Sequence, residues 1–140
     1  MAIWKKTATI EELNALSLGT MSEHVGLVVT ELGDDYIKAT MPVDQRTCQY
    51  MGIIHGGASV VLAETIGSIG STLCCPENHY IVGLDINANH IRAARPPFVT
   101  GIARPLHIGG STMVWDIRIS DSDDRLTCIS RLTCAVLQNR

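Results

Sequence analysis

The segment Gly52–Pro76, GIIHGGASVVLAETIGSIGSTLCCP, constrains this chain more than any other. Only Glu64 in it is fully charged near neutral pH, and His55 is the one other strong titrating candidate. A buried carboxylate is costly unless it is partnered or protonated, so Glu64 has either a structural partner or a chemical task. Leu62, Ile66, Ile69 and Leu73 recur at helical spacing and form an apolar stripe. Glu64, Ser68 and Ser71 fall on roughly the opposite side. Gly56, Gly57, Ala63, Gly67 and Gly70 leave little side-chain bulk, so other backbone can come close. A helix this rich in Gly and Ser is weak alone. The reading is a central helix held by a sheet wrapped around it.

The flanking sequence supplies that sheet. Thr9-Ile-Glu-Glu12 has capping-box spacing and predicts a short helix to about Leu18. Val25–Thr30 reads as a strand and Gly33-Asp34-Asp35 as a turn. Tyr36–Val43 alternates, with Ile37, Ala39, Met41 and Val43 on one face. Four strands follow the long helix. Tyr80–Ile91 puts Tyr80, Val82, Leu84, Ile86 and Ala88 on one face and Asp85, Asn87 and Asn89 on the other. Phe98–Leu106 comes next, then a strand with Met113, Trp115, Ile117 and Ile119 inward. Ser120–Arg125 reads as a turn, and Leu126–Leu137 closes the order. This is an α+β chain with an antiparallel sheet, expected as one domain over residues 1–140.

Composition narrows the function. The net charge is −3 with no Lys/Arg run, which argues against nucleic acid and anionic membrane surfaces. Hydrophobic residues make up 46% and charged residues 18%, an apolar balance that subunit interfaces would explain. Five cysteines, two adjacent and none in C-x-x-C spacing, indicate reduced thiols in the cytoplasm rather than a disulfide framework or a zinc site. The start, MAIWKKTATIEELN, has no apolar core of a secretory signal. Gly56–Cys75 is long enough to span a bilayer, but ten of its residues are Gly, Ser, Thr or Glu, which argues against a span.

Several blocks together carry a family pattern: MPVDQRTCQ (41–49), HGGASVVLAETIGS (55–68), VGLDINANHIR (82–92), PLHIGGS (105–111) and CISRLTCAV (128–136). With them the chain resembles the hotdog-fold thioesterases, in particular the bacterial group acting on aryl-CoA and aryl-carrier-protein thioesters. Two branches stand out: hydrolases of 1,4-dihydroxy-2-naphthoyl-CoA in menaquinone synthesis, and proofreading thioesterases of enterobactin synthesis. GASVVLAETIGS and LDINANH look more like the first. The resemblance implies a curled antiparallel sheet around one long helix, paired into dimers and then tetramers. No His/Cys/Asp/Glu cluster has metal-ligand spacing, so no metal is expected, and no cofactor, CoA being part of the substrate.

The resemblance also implies roles. Glu64 becomes the nucleophile or general base at the thioester carbonyl. The backbone N–H of Gly56, at the helix start, and the Gln49 side chain become the oxyanion donors. His55 supports the site by positioning. Ser68, one turn beyond Glu64, orients Glu64 or the water, although a helix serine commonly bonds its own preceding carbonyl. His90 lines the acyl region. Arg92, Arg95, Arg104, His107 and Gly109-Gly110-Ser111 are candidates for the CoA or phosphopantetheine arm, each Arg reading alone as ordinary surface charge. Tyr50-Met51 replaces the family's Pro-Phe at the wall of the acyl pocket, and Gly110 stands where relatives often carry Arg or Ser.

One inference needs only geometry. Gly56 and Glu64 are eight residues apart, roughly 12 Å along one helix, so one helix cannot bring both to one carbonyl. Each site is therefore expected to be shared by two chains. Two other readings of the residues are a hotdog dehydratase or hydratase and a non-catalytic acyl-CoA-binding regulator. Glu64 on the helix fits hydrolysis better than the first, and a binder has no need of a nucleophile.

Overall fold

The computed structural model describes residues 1–140. Two short helices, α1 (Ile10–Ala15) and α2 (Met21–His24), precede strands β1 (Val28–Leu32) and β2 (Ile37–Pro42). The long helix α3 (Gly56–Cys74) follows, then β3 (His79–His90), β4 (Phe98–Ile108), β5 (Thr112–Asp121) and β6 (Leu126–Gln138). The strands form one antiparallel sheet in the order β1-β2-β4-β5-β6-β3. Helix α3 crosses between β2 and β3 and touches every strand from β2 to β6.

The core lies between α3 and the concave face of the sheet. Ile37, Ala39 and Met41 of β2 and Met113, Trp115, Ile117 and Ile119 of β5 are buried there, as their alternation predicts. Leu62, Ala63, Ile66 and Leu73 meet them from the helix. The small residues of α3 make room for side chains more than for backbone. A Cβ on Gly67 would sit 2.6 Å from Leu132 Cδ2, and one on Gly70 would sit 2.7 Å from Trp115 Cη2. Ser71 is fully buried rather than on the Glu64 side, and Ile69 is only half-buried. The stripe is rotated toward the glycines because they are where the sheet's largest side chains fit. By length and composition α3 could cross a membrane, but it is the core helix of this fold.

Three local expectations are corrected. The capping box at Thr9 and Glu12 forms, but α1 stops at Ala15. The strand expected from Val25 begins at Val28, because Val25 caps α2 and Gly26 adopts φ +76 in the connecting turn. The third correction matters for function. The pairing of β3 with β6 slips between Gly83 and Asp85, a bulge that inserts one residue. Ile81 and Gly83 face the helix before it, and Ile86 and Ala88 after it. Tyr80, Val82 and Leu84 are therefore exposed on the outside, at 43%, 40% and 61%.

Candidate active site

The donor side of the site grows from the loop between β2 and α3. Buried Thr47 pins that loop: its hydroxyl donates to the Pro42 carbonyl at 2.6 Å, and its own carbonyl accepts from His55 N–H at 2.8 Å. Within it, Gln49 and Ile53 close a tight turn, with Gly52 at φ +83. Tyr50 and Met51 sit at the tip, largely exposed. The Met51 N–H donates to Gln49 Oε1, which leaves the Gln49 NH2 group as the end able to donate elsewhere.

His55 is the N-cap of α3, and its Nδ1 accepts from Gly57 N–H at 2.8 Å. In the neutral ring this puts the proton on Nε2. Gly56 is the first helical residue, so its N–H has no acceptor within the helix and faces outward with the positive end of the helix dipole. The His90 ring packs against it: a Cβ on residue 56 would lie 2.7 Å from His90 Nε2. Gln49, Gly56, Ser59, His90, Arg92 and Thr127 line one cleft of about 330 Å³.

Glu64 lies elsewhere. It lines a larger cleft of about 590 Å³ with Thr65, Ser68, Ile69 and Thr72 of α3 on one side and the segment from Lys6 to Ser22 on the other. Glu64 is half-buried, and no cation lies within ion-pair distance of it. Within one chain, Glu64 has no ion-pair partner that would account for a carboxylate here. Gly83 of β3 packs against it instead, since a Cβ there would come within 2.5 Å of Glu64 Oε2. Ser68 shares the cleft, and it is Thr72, not Ser68, that bonds back to the preceding carbonyl. The buried Cys134 thiol is pushed up by burial, then drawn part of the way down by the Ser71 and Ser68 hydroxyls, and up again by the charge of Glu64.

The structure thus brings Gln49, Gly56, His90 and Arg92 together, and Glu64 and Ser68 together, in two clefts that share no residue. The continuous helix keeps Gly56 and Glu64 about 12 Å apart. Tyr50 and Met51 line neither cleft of the single chain. Nor do His107, Gly109, Gly110 and Ser111, which belong to the β4–β5 hairpin. Two of the suggested phosphate-binding cations are already engaged. Arg95 pairs with Asp123 at 2.7 Å, and Arg104 pairs with Asp35 at 3.1 Å while stacking over Tyr36. Arg92 has no such carboxylate and stays free at the donor cleft. Sequence reasoning missed Gly83, although a glycine inside a strand is a signal for a bulge or a close approach. It also missed Ser59, Thr127 and the N-terminal wall of the Glu64 cleft.

The fold and sequence place the chain among known proteins. A family model described as "Thioesterase superfamily" matches residues 51–128, more than half of the chain. A 1,4-dihydroxy-2-naphthoyl-CoA hydrolase of Escherichia coli is 51% identical over 135 residues, covering 96% of this chain and 99% of that protein. The proofreading thioesterase EntH of Cronobacter sakazakii is 50% identical over 135 residues, covering 96% and 98%. The crystal structure of a thioesterase from Haemophilus influenzae superposes with a TM-score of 0.95 at 48% identity, covering 97% of this chain and 95% of that one. With its antiparallel sheet curled around α3, the chain belongs to the thioesterase superfamily, as a hotdog-fold thioester hydrolase.

Proposed function

We propose that the protein hydrolyses aryl thioesters of CoA, of the hydroxybenzoyl or 1,4-dihydroxy-2-naphthoyl type, to the free acid and CoA. The observation that carries this reading is Glu64: a carboxylate with no cationic partner, on the wall of a cleft large enough for an aryl group. Glu64 accepts a proton from water as the water oxygen attacks the thioester carbon, or attacks that carbon itself to form an anhydride that water then opens. In both cases negative charge builds on the carbonyl oxygen. The Gly56 N–H and the Gln49 NH2 group stabilise it, and the C–S bond then breaks to release the CoA thiolate. Ser68 orients Glu64 or the water. His55 holds the helix start, and His90 packs against the donor glycine.

The two clefts of one chain complete one site only if two chains combine, the Glu64 cleft of one facing the donor cleft of its partner. The unpaired edge of β3, with exposed Tyr80, Val82 and Leu84, supports pairing beside Glu64. In such an assembly Tyr50-Met51 and the β4–β5 hairpin, with His107, Gly109, Gly110 and Ser111, would reach the substrate from the second chain. The reading includes a dimer that pairs again into a tetramer, a cytoplasmic setting that suits five free thiols, and a place in menaquinone synthesis suggested by the naphthoyl-CoA relative. The similarity to a proofreading thioesterase supports carrier-bound aryl groups as a second substrate form, and rates on matched CoA and carrier-protein thioesters separate the two.

Mixing two inactive proteins tests the shared site. Glu64→Gln and Gln49→Ala are combined under conditions that exchange subunits. A mixed dimer holds one site with both lesions and one with neither, so random pairing restores about a quarter of wild-type activity. Mixed dimers confirmed by mass spectrometry without recovery would place both groups in one chain and overturn the model. The reading uses no metal and no cofactor, so chelator leaves the rate unchanged. Loss on chelation with recovery on adding zinc would contradict it.

A further inference from the structure

The far end of the Glu64 cleft carries a cation that the hydrolytic mechanism does not use. Lys6 lines the cleft together with Thr72 and Leu73, at the opposite end of the working face of α3 from Glu64. Its place is fixed through the backbone, where Lys6 N–H donates to the Leu73 carbonyl at 3.1 Å in the last turn of the helix. Its ammonium donates to Cys75 Sγ at 3.2 Å and has no carboxylate within ion-pair distance. A thiol sulfur is a weak acceptor and an ammonium has three donors. Glu12, the other charged group on the N-terminal wall, is occupied: its carboxylate accepts from Thr9 N–H at 2.9 Å in the capping box. The walls between the two ends include Leu13, Leu16, Ile69 and Leu73. An apolar cleft with a reactive carboxylate at one end and an under-partnered, half-buried cation at the other is built for a ligand with an anionic tail.

We infer that Lys6 is a specificity residue, and that the cleft takes aryl acyl groups whose far edge carries an anionic oxygen. This rests on the reading that the Glu64 cleft receives the acyl group. Glu64 and Thr72 are eight residues apart, roughly 12 Å along the helix. Allowing ~3 Å from Glu64 to the thioester carbon and ~3 Å for the bond to the ammonium leaves roughly 6 Å between the thioester carbonyl and the anionic oxygen. That span matches a single aryl ring that carries the anionic group para to the carbonyl. The carboxylate accepts a charge-assisted hydrogen bond from Lys6 Nζ, and the hydroxyl of Thr72 stands beside it.

The test compares 4-carboxybenzoyl-CoA with benzoyl-CoA, which differ only in the distal carboxylate. Wild type should favour the carboxylated thioester in kcat/KM by roughly 10- to 100-fold, the range for a hydrogen bond to a charged group. Lys6→Met, which keeps the stem and removes the ammonium, should erase that preference and leave hydrolysis of benzoyl-CoA within about threefold of wild type. Lys6→Arg should restore it. Equal wild-type rates on the two thioesters would overturn the inference. So would a Lys6→Met protein that loses both activities by the same factor, or one that only melts earlier, which would make Lys6 a helix-end support. Glu64→Gln run in parallel separates the levels. If it is inactive while Lys6→Met keeps the preference, the subsite alone falls. If it retains full activity, the acyl-cleft reading falls and takes the subsite with it.

Discussion

The two working regions of α3 are held in opposite ways. At the helix start two side chains are fixed by hydrogen bonds and a third by packing: Gln49 Oε1 accepts from Met51 N–H, His55 Nδ1 accepts from Gly57 N–H, and the His90 ring covers Gly56. Behind them, Arg125 ties Asp121 to the carbonyl of Ala93, on the rim of the same cleft. Two turns further on, Glu64 has no cation beside it and rests against a glycine of the edge strand. The contrast fits the proposed chemistry. Oxyanion donors stabilise charge best when they are already in place, so rigidity helps them. A base or nucleophile must gain a proton or a bond during the reaction, and a salt bridge would hold it in its resting state.

The largest effect should come from the unbonded region. Glu64→Gln keeps the shape of the side chain and loses the charge, and we expect at least ~10³ less turnover with folding and oligomerisation unchanged. Activity above a tenth of wild type would make Glu64 structural and erase the contrast. Gly83→Ala sharpens it. The new methyl group would meet the flexible end of Glu64 rather than backbone, so the fold should survive while the carboxylate is displaced. A misplacement of about 1 Å can cost 10²-fold, so kcat should fall roughly 10- to 100-fold with KM little changed. An unchanged kcat would reduce the contact to packing.

The smallest effect tests the bonded region through pH. Burial alone would raise the Asp121 carboxyl. The Arg95 N–H, the Arg125 side chain and N–H, and the Asp123 N–H outweigh it and hold the group well below the usual carboxylate range. Because the folded value is depressed, this stabilisation is complete above the unfolded value of about 3.9 and is lost as pH falls toward the folded one. The thermal midpoint of wild type should drop below about pH 4, and Asp121→Asn, less stable at pH 7, should drop less over the same interval. Parallel curves for the two proteins would show that Asp121 holds nothing at the donor cleft.

The sequence by itself determined the order of the strands around the central helix and the inward faces of β2 and β5, but not the short helix α2. Those depend on local periodicity, which the Ile37-Ala39-Met41 and Met113-Trp115-Ile117-Ile119 patterns state outright. It also singled out Glu64, because a lone carboxylate in an apolar helix is conspicuous without any contact map. The helix rise alone separated Glu64 from Gly56. Tertiary structure decided what surrounds them. The bulge after Gly83 turned Tyr80 and Val82 outward, because one inserted residue reverses the alternation of a strand and its place depends on the partner β6. Arg95 and Arg104 proved to be engaged and Arg92 free, since an ion pair joins residues far apart in the chain. The Lys6 end of the N-terminal wall of the Glu64 cleft is set by backbone bonds that bring residues 5 and 6 to Leu73 at the end of α3, and its middle by the Asn14 side chain bonded to Val29. Periodicity describes one element at a time, whereas a cleft is a relation between elements that the chain closes only when it folds.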